Sequence, residues 1–501
     1  MRMALAIVHT RAQLGIQSPP VAVEVHLSGG LPSFSIVGMP ETGVKESRER
    51  VRSSLLNCGF EFPARRITVN LAPADLPKEG GRYDLAIAVG ILIASGQLPQ
   101  NSADHYEFLA ELALSGDLRP VSGVLPVALS CRNAGRSLWV ASDNVREAGL
   151  VTGLRFFGAR SLLEVSNHLA GASLQEPATP SEWRVDNFTD ADMADVRGQF
   201  QAKRALEIAA GGGHNLLLCG PPGSGKSMLA SRLPGILPPL ESDELLDIAA
   251  IYSIAGVKEK SLFAGIRPFR TPHHTASAVA LVGGGSNPRP GEISLAHQGV
   301  LFLDELPEYS RQVLEVMREP LESGVINISR AALQTSFPAR FQLIAAMNPC
   351  PCGYRGDQSG RCRCTPDQVQ RYQAKISGPL LDRIDLQSWV PGLTPEQLMG
   401  PAETSESSLQ IRERVVSART IQQQRQGCIN DQLNVKGLEQ YCKLGQEQEQ
   451  LLMQAMSKMG LSARAAHRVL KVSRTIADLK GELDINNAAL LEAIGLRRSP
   501  L

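Results

Sequence analysis

The sequence predicts an α/β protein with more than one core, and three observations lead there. The apolar run Leu216-Leu217-Leu218-Cys219 passes straight into Gly220-Pro221-Pro222-Gly223-Ser224-Gly225-Lys226-Ser227, and helix-forming Met228-Leu229-Ala230 comes next. Strand-like and helix-like segments alternate from Asp195 to about Val390, the pattern of a parallel sheet covered by helices. Beyond Pro391 the strand signals nearly vanish, and the segment from Glu406 onward reads as helices interrupted near Gly427 and Gly460. At 501 residues the chain exceeds one core, and its length suggests about three domains.

The elements justify themselves in chain order. Residues 1–170 form one α/β region: Val21–Val25 and Ile67–Asn70 are rich in β-branched residues and read as strands, and Glu41–Cys58 as a charged helix. The run Leu85–Ser95 is the longest apolar stretch, about half of a membrane span, and is expected as a buried helix. Gly171-Ala172-Ser173, Pro177, Pro180 and Ser181 mark a linker over 171–186. The nucleotide-binding core is expected over 187–393 and a helical domain over 394–501, with no internal repeat at solenoid periods.

Composition narrows the classes. With 43% hydrophobic and 20% charged residues the chain is an ordinary globular sequence, and a net charge of +1 leaves any nucleic-acid contact to local patches. Only Arg2 precedes Met3–Val8, and His9 and Arg11 come after it, so no secretory signal and no membrane partner are expected. Nine cysteines in a phosphate-loop protein fit a reducing, cytoplasmic location.

The stretch from Gly220 to Ser227 is a complete G-x-x-x-x-G-K-[ST] loop. Gly220, Gly223 and Gly225 let the backbone curl so that N–H groups face phosphate oxygens. Pro221, Pro222, Ser224 and Met228 complete the cradle, Lys226 reaches the β- and γ-phosphates, and the Ser227 hydroxyl holds Mg²⁺. A second apolar strand, Gly299–Leu303, ends in Asp304-Glu305. Asp304 would bind Mg²⁺ through its water shell, and Glu305 would deprotonate the attacking water. A third strand, Phe341–Met347, ends at Asn348, whose amide can reach between the γ-phosphate and that water.

These motifs, with the later Leu380-Leu381-Asp382-Arg383-Ile384-Asp385, resemble the AAA+ ATPases of the magnesium-chelatase and MCM-related clade. Thr271-Pro272-His273-His274-Thr275, Leu281–Gly285, Asn348-Pro349-Cys350-Pro351-Cys352-Gly353 and Ser462-Ala463-Arg464 bring the chain closer to the ComM/YifB-type magnesium-chelatase-like proteins, along essentially its whole length. The resemblance implies a Lon-protease-like α/β domain, an AAA+ core with a parallel sheet, and a C-terminal helical lid. It implies that Arg383 is an arginine finger acting on a neighbouring subunit, that Arg464 is a second sensor acting in cis or in trans, and that Asp195–Gln199 packs by the adenine. The plainer alternative pairs Arg383 with Asp382 or Asp385 on a solvated surface. The resemblance also implies a homo-hexamer with DNA in its pore, branch migration or unwinding during natural transformation, and possible recombination-protein partners.

The pore contacts would come from two insertions. Arg267, Arg270 and Arg289 flank Gly283-Gly284-Gly285, and Gly324–Arg330 alternates like a strand that could open a hairpin. Arg330 and the glycine loop would grip a phosphate backbone without reading sequence. His273-His274 is a weak metal signal beside pore or structural roles. In the helix from Ser462 to Leu479, Arg464, Arg468 and Lys471 share a face, with the plain expectation of a solvated helix carrying one sensor.

Cys350-x-Cys352 and Cys362-x-Cys364, within an insert at 350–364, can close a tetrahedral structural Zn²⁺ site. Free thiols and a redox switch are the alternatives. In the Lon-like region, Arg82 stands where the nucleophilic serine should be and Leu125 where its lysine should be, so a scaffold or assembly role is expected rather than peptide hydrolysis. For the whole chain, a DNA motor stands first and a protein remodeller or chelatase-like ATPase second; both use ATP and Mg²⁺.

Overall fold

A computed structural model of the chain describes residues 5–181, 191–257, 265–285, 288–330, 333–357, 360–392 and 405–497. Residues 182–186 of the expected linker lie outside the described residues, as do 187–190, 394–404 and the Arg330 side chain. The chain forms two compact units, Met1–Arg184 with Leu245–Glu259, and Val185–Glu244 with Lys260–Leu501.

The first unit is built on a seven-stranded mixed sheet. Strand Pro20–Ser28 pairs antiparallel with both Leu5–Arg11 and Arg66–Ala72, while Tyr106–Leu109, Ser137–Ala141 and Phe156–Ala159 continue the sheet in parallel. The apolar run expected as a buried helix is helix Asp84–Ala94, with residues Asp84 to Ile93 all buried. It is apolar all round because it packs on strands Leu5–Arg11, Pro20–Ser28 and Tyr106–Leu109 and on helix Ser47–Asn57. Its Asp84 is held by Arg50 Nε at 2.6 Å. Residues 245–259, expected within the nucleotide core, belong instead to this unit. There the Ser253 carbonyl accepts the Gly123 N–H at 3.0 Å, so the helix Ser242–Ala255 caps the start of helix Val124–Asn133.

The second unit holds a five-stranded sheet in the order Phe269–Arg270, Val300–Leu303, Gln342–Met347, Leu216–Cys219, Leu386–Trp389. Every pair in it is parallel. Strands Val300–Leu303, Gln342–Met347 and Leu216–Cys219 are buried on both faces, which is why these three read as apolar runs. C-terminal to the sheet are helices Ser408–Gln426, Val435–Tyr441, Gln446–Met459, Ala463–Leu479 and Asn487–Gly495. Gly427 and Gly460 end two of them in the left-handed conformation, at φ 71° and 62°.

The solvated expectation for helix Ala463–Leu479 is corrected. It packs against helices Phe200–Gly212, Ser408–Gln426 and Asn487–Gly495, and residues Val472 to Asp478 are all buried. Its buried cation is paired, Arg474 with Asp478 at 3.0 Å, and half-buried Arg468 pairs with buried Asp385.

Candidate nucleotide site

Parallel pairing brings the chemical groups together. Cys219 stands in register with Met347 on one side and Trp389 on the other, and Leu303 with Ala345. The phosphate loop, Asn348 and Asp304-Glu305 therefore all leave the sheet at its carboxyl edge. At Gly220 a Cβ would overlap the Val390 carbonyl oxygen, so the loop can begin only with glycine. Gly223 and Gly225 have φ of 76° and 90°, and Lys226 opens helix Lys226–Ser231.

Lys226 Nζ donates to the carbonyls of Gly220 and Pro221 at 2.8 and 2.9 Å and to Asn348 Oδ1 at 3.2 Å. Burial lowers its pKa against the pull of Asp304, so an anion in the loop would be welcome. The Ser227 hydroxyl donates to Asp304 Oδ2 at 2.6 Å, and the Glu305 N–H to Asp304 Oδ1 at 2.9 Å. Glu305 is held at φ 51° with its side chain exposed at the mouth of the site. Gln199 Nε2 ties the loop down, donating to the Ser224 and Pro391 carbonyls at 3.1 and 2.8 Å. Among the described residues, Ser224 Oγ and Gln199 Oε1 are buried without a hydrogen-bond partner. The donor set and these spare polar atoms suit a nucleoside triphosphate with Mg²⁺.

The four thiols lie beside this edge. Cys350 Sγ is 3.4 Å from Cys352 Sγ and 3.8 Å from Cys362 Sγ, and Cys352 to Cys362 is 3.7 Å. All four sulfurs, Cys364 included, fall within 4.8 Å of one another. Zinc–sulfur bonds of about 2.3 Å at tetrahedral angles put sulfurs about 3.8 Å apart. The cluster has the size of a zinc site.

The two arginines stand elsewhere. Arg383 is buried, donating to Glu322 Oε1 at 2.5 Å and the Pro379 carbonyl at 2.7 Å. It pairs with neither Asp382 nor Asp385: Asp385 is taken by Arg468, and Arg497 lies 3.8 Å from Asp382. Arg464 is exposed in the first turn of helix Ala463–Leu479, whose N-cap is Ser462. Two of the expected loop cations are also engaged. Arg267 is clamped by Glu244 at 2.9 Å and Arg270 by Glu292 at 2.7 Å, which leaves Arg289, exposed in the hairpin Gly283–Gly284/Arg289–Pro290. The second hairpin is present, Val325–Arg330 with Leu333–Pro338. In the first unit Arg82 is buried against Gln13 Oε1 and the Ser122 carbonyl, both at 2.6 Å, and Leu125 lies in the core.

Sequence reasoning missed three residues. His274 Nδ1 lies 3.5 Å from Glu305 Oε2; the only sequence signal was the histidine pair itself. Glu322, in helix Pro320–Ser323, carried no local pattern as the Arg383 partner, and Gln199 was expected only within the segment beside the adenine, not as the loop tether.

The chain is similar to known proteins over nearly its whole length. Three family models match: "Magnesium chelatase, subunit ChlI" over residues 192–398, "Subunit ChlI of Mg-chelatase" over 23–144, and "Magnesium chelatase, subunit ChlI C-terminal" over 405–497. Competence protein ComM of Haemophilus influenzae is 52% identical over 99% of this chain and 98% of its own length. The YifB protein of Escherichia coli is 50% identical over 99% of this chain and 97% of its own. The DNA replication licensing factor Mcm2 of Drosophila melanogaster is 30% identical over 40% of this chain and 21% of its own.

Proposed function

The chain belongs to the ComM/YifB-type magnesium-chelatase-like AAA+ ATPases, and from that premise we propose that it is a cytoplasmic, homo-hexameric DNA motor. In this proposal ATP hydrolysis drives branch migration of recombination intermediates during natural transformation. The observation that supports hydrolysis is the meeting of Lys226, Ser227, Asp304, Glu305 and Asn348 at one sheet edge.

The N–H groups of Gly220 to Met228 would hold the phosphates, and Lys226 would leave its two loop carbonyls for the β- and γ-oxygens. Ser227, and Asp304 through the metal's water shell, would hold Mg²⁺, which would supply charge neutralisation to the phosphates. Glu305 accepts the proton of the attacking water, and the Asn348 amide orients that water. Arg383 of a neighbouring subunit stabilises the transferring phosphoryl group, with Arg464 as the second sensor. The four cysteines hold a structural zinc.

DNA as the track is supported by the two hairpins: Arg289 is exposed in the first, and Arg330 belongs by sequence to the second. The partial similarity to Mcm2 points the same way. Contact would be to phosphates, independent of sequence and weakened by salt. Recombination proteins are proposed partners. The alternative, a protein remodeller or chelatase-like ATPase, is favoured by the description shared by all three family models. Labelled three- and four-stranded junctions with Mg-ATP decide between them. Strand exchange present in the natural protein and absent in Glu305→Gln supports the motor. DNA that neither stimulates ATPase nor exchanges strands hands the case to the remodeller.

A further inference from the structure

The cysteine cluster sits where it can do more than hold its own loop. Only Pro349 separates Asn348 from Cys350, and proline fixes that link's φ. Gly353, at φ 86°, packs so tightly on the phosphate loop that a Cβ there would lie 2.7 Å from Pro222 Cδ and 3.8 Å from Asn348 Cγ. Further along the same insert, Asp357 Oδ1 and Pro221 Cγ flank one face of Gly392, at 3.8 and 3.7 Å from the position of a Cβ. Gly356 likewise meets the Trp389 ring, 3.5 Å from such a Cβ. The insert thus packs on Pro222, the sensor asparagine and the end of the fifth strand, and approaches Gly392 beside Pro221.

What holds the insert in that place is not a core. Its described residues from 350 to 364 form no helix or strand, and of its four cysteines only Cys350 is buried. A short stretch with so little apolar burial needs a cross-link to keep one conformation. The cross-link that the sulfur spacing fits is a tetrahedral metal.

We propose that zinc held by Cys350, Cys352, Cys362 and Cys364 positions the nucleotide site: it fixes Asn348 and the Pro221–Pro222 half of the phosphate loop, so that metal occupancy sets nucleotide affinity and turnover. The four cysteines are positioning residues, acting through Asn348 and Pro222 and touching no substrate. The proposal rests on the assignment of ATPase activity, and its test separates the two.

The test compares full-length protein with Cys362→Ser/Cys364→Ser and with Gly353→Ala. Zinc is measured by elemental analysis, affinity with a fluorescent ATP analogue, and kcat and KM by phosphate release. The natural protein should hold about one zinc per subunit. The double variant should lose it, with nucleotide affinity down about tenfold and kcat down about 10²-fold, the scale of an ångström-size misplacement of a catalytic group. Gly353→Ala should keep its zinc and still bind nucleotide more weakly, because the added methyl displaces Pro222. A loss confined to stability would lower the active fraction and leave the affinity and KM of the folded molecules unchanged. A zinc-free double variant with unchanged affinity, kcat and KM overturns the proposal, as does natural protein that takes up no zinc. If the double variant loses its cooperative melt, Gly353→Ala decides by its affinity. If the natural protein binds nucleotide but never hydrolyses it, the ATPase assignment falls, and the affinity comparison still judges the zinc.

Discussion

Acid should loosen the second unit through one histidine that joins two of the strands bearing the site. His297 is 3% exposed, and its Nδ1 accepts the Arg340 N–H at 3.0 Å, stitching the start of strand Val300–Leu303 to the start of strand Gln342–Met347. Burial, reinforced by Arg340 and opposed only by Glu244, pulls its pKa from 6.5 to about 4. A folded pKa below the unfolded one means that the unfolded chain binds more protons between those values. Stability is then complete above pH 6.5 and is lost as pH falls toward 4. Between pH 7 and pH 5 the loss from this one group is about 2 kcal/mol. His214, also lowered to about 4 by burial, adds in the same direction. Asp431 opposes it: raised to about 6 by burial and by Asp385, it takes up a proton more readily when folded and returns about 1 kcal/mol over the same drop. His297 is therefore the clean probe. His297→Asn keeps an acceptor for Arg340 without a titrating ring, so its pH-independent packing cost cancels when each protein is compared with itself. Urea unfolding of the second unit at pH 7 and pH 5 should show the natural protein losing about 2 kcal/mol more than the variant. Equal losses, or an NMR titration of His297 near its ordinary value, would refute the reasoning.

The remaining predictions concern single groups. Glu305→Gln should lower ATP turnover by about 10²- to 10⁴-fold with nucleotide affinity preserved; a variant hydrolysing at the natural rate removes Glu305 as the base. Arg383→Ala and Lys226→Ala should each be inactive alone, and mixing them should restore activity at some interfaces. No recovery at any mixing ratio argues against a finger acting in trans. Asp385→Ala leaves half-buried Arg468 without its carboxylate and removes the acceptor of the Asn215 N–H at 2.8 Å. It should cost about 3–5 kcal/mol in denaturant unfolding, and a cost below about 1 kcal/mol would mean that Arg468 finds water instead.

The nucleotide edge was legible because its chemistry is local. Glycines at fixed spacing, a lysine and a serine lie within eight residues, and Asp304-Glu305 and Asn348 each end an apolar run. A strand buried on both faces announces itself as such a run, and the residues just beyond its carboxyl end must lie at the sheet edge. The helices ending at Gly427 and Gly460 were legible for a similar reason, since glycine is the residue that tolerates the left-handed C-terminal turn. The arginines were not legible. Whether Arg267, Arg270, Arg468 or Arg474 faces solvent or a carboxylate depends on residues 4 to 83 positions away: Glu244, Glu292, Asp385 and Asp478. Helical spacing put Arg468 on a polar face correctly, but only tertiary packing brings buried Asp385 to it. The same limit hid the segment after Glu244, since Ser253 finds its partner Gly123 far back in the chain.

The parallel sheet also separates Arg383 from the phosphate loop of the same chain. Arg383 precedes strand Leu386–Trp389 and is anchored at that strand's amino end, where the Asn215 side chain donates to the Arg383 carbonyl at 3.1 Å. The phosphate loop leaves the neighbouring strand Leu216–Cys219 at the opposite end, and Leu216 pairs with Leu386, Cys219 with Trp389. Four residues of strand span roughly 13 Å, so the arginine would have to pass the sheet to meet a phosphate in its own loop. It points away instead, into Glu322. Under the proposed finger role, Arg383 so placed would serve a loop belonging to another copy, and that expectation of assembly comes from topology rather than from family likeness. The Glu322 contact sharpens the point. Docking of a neighbour's γ-phosphate would exchange one anionic partner for another, leaving the buried guanidinium compensated throughout. A subunit alone would keep its finger on Glu322, and hydrolysis would begin when the ring supplies the competing anion.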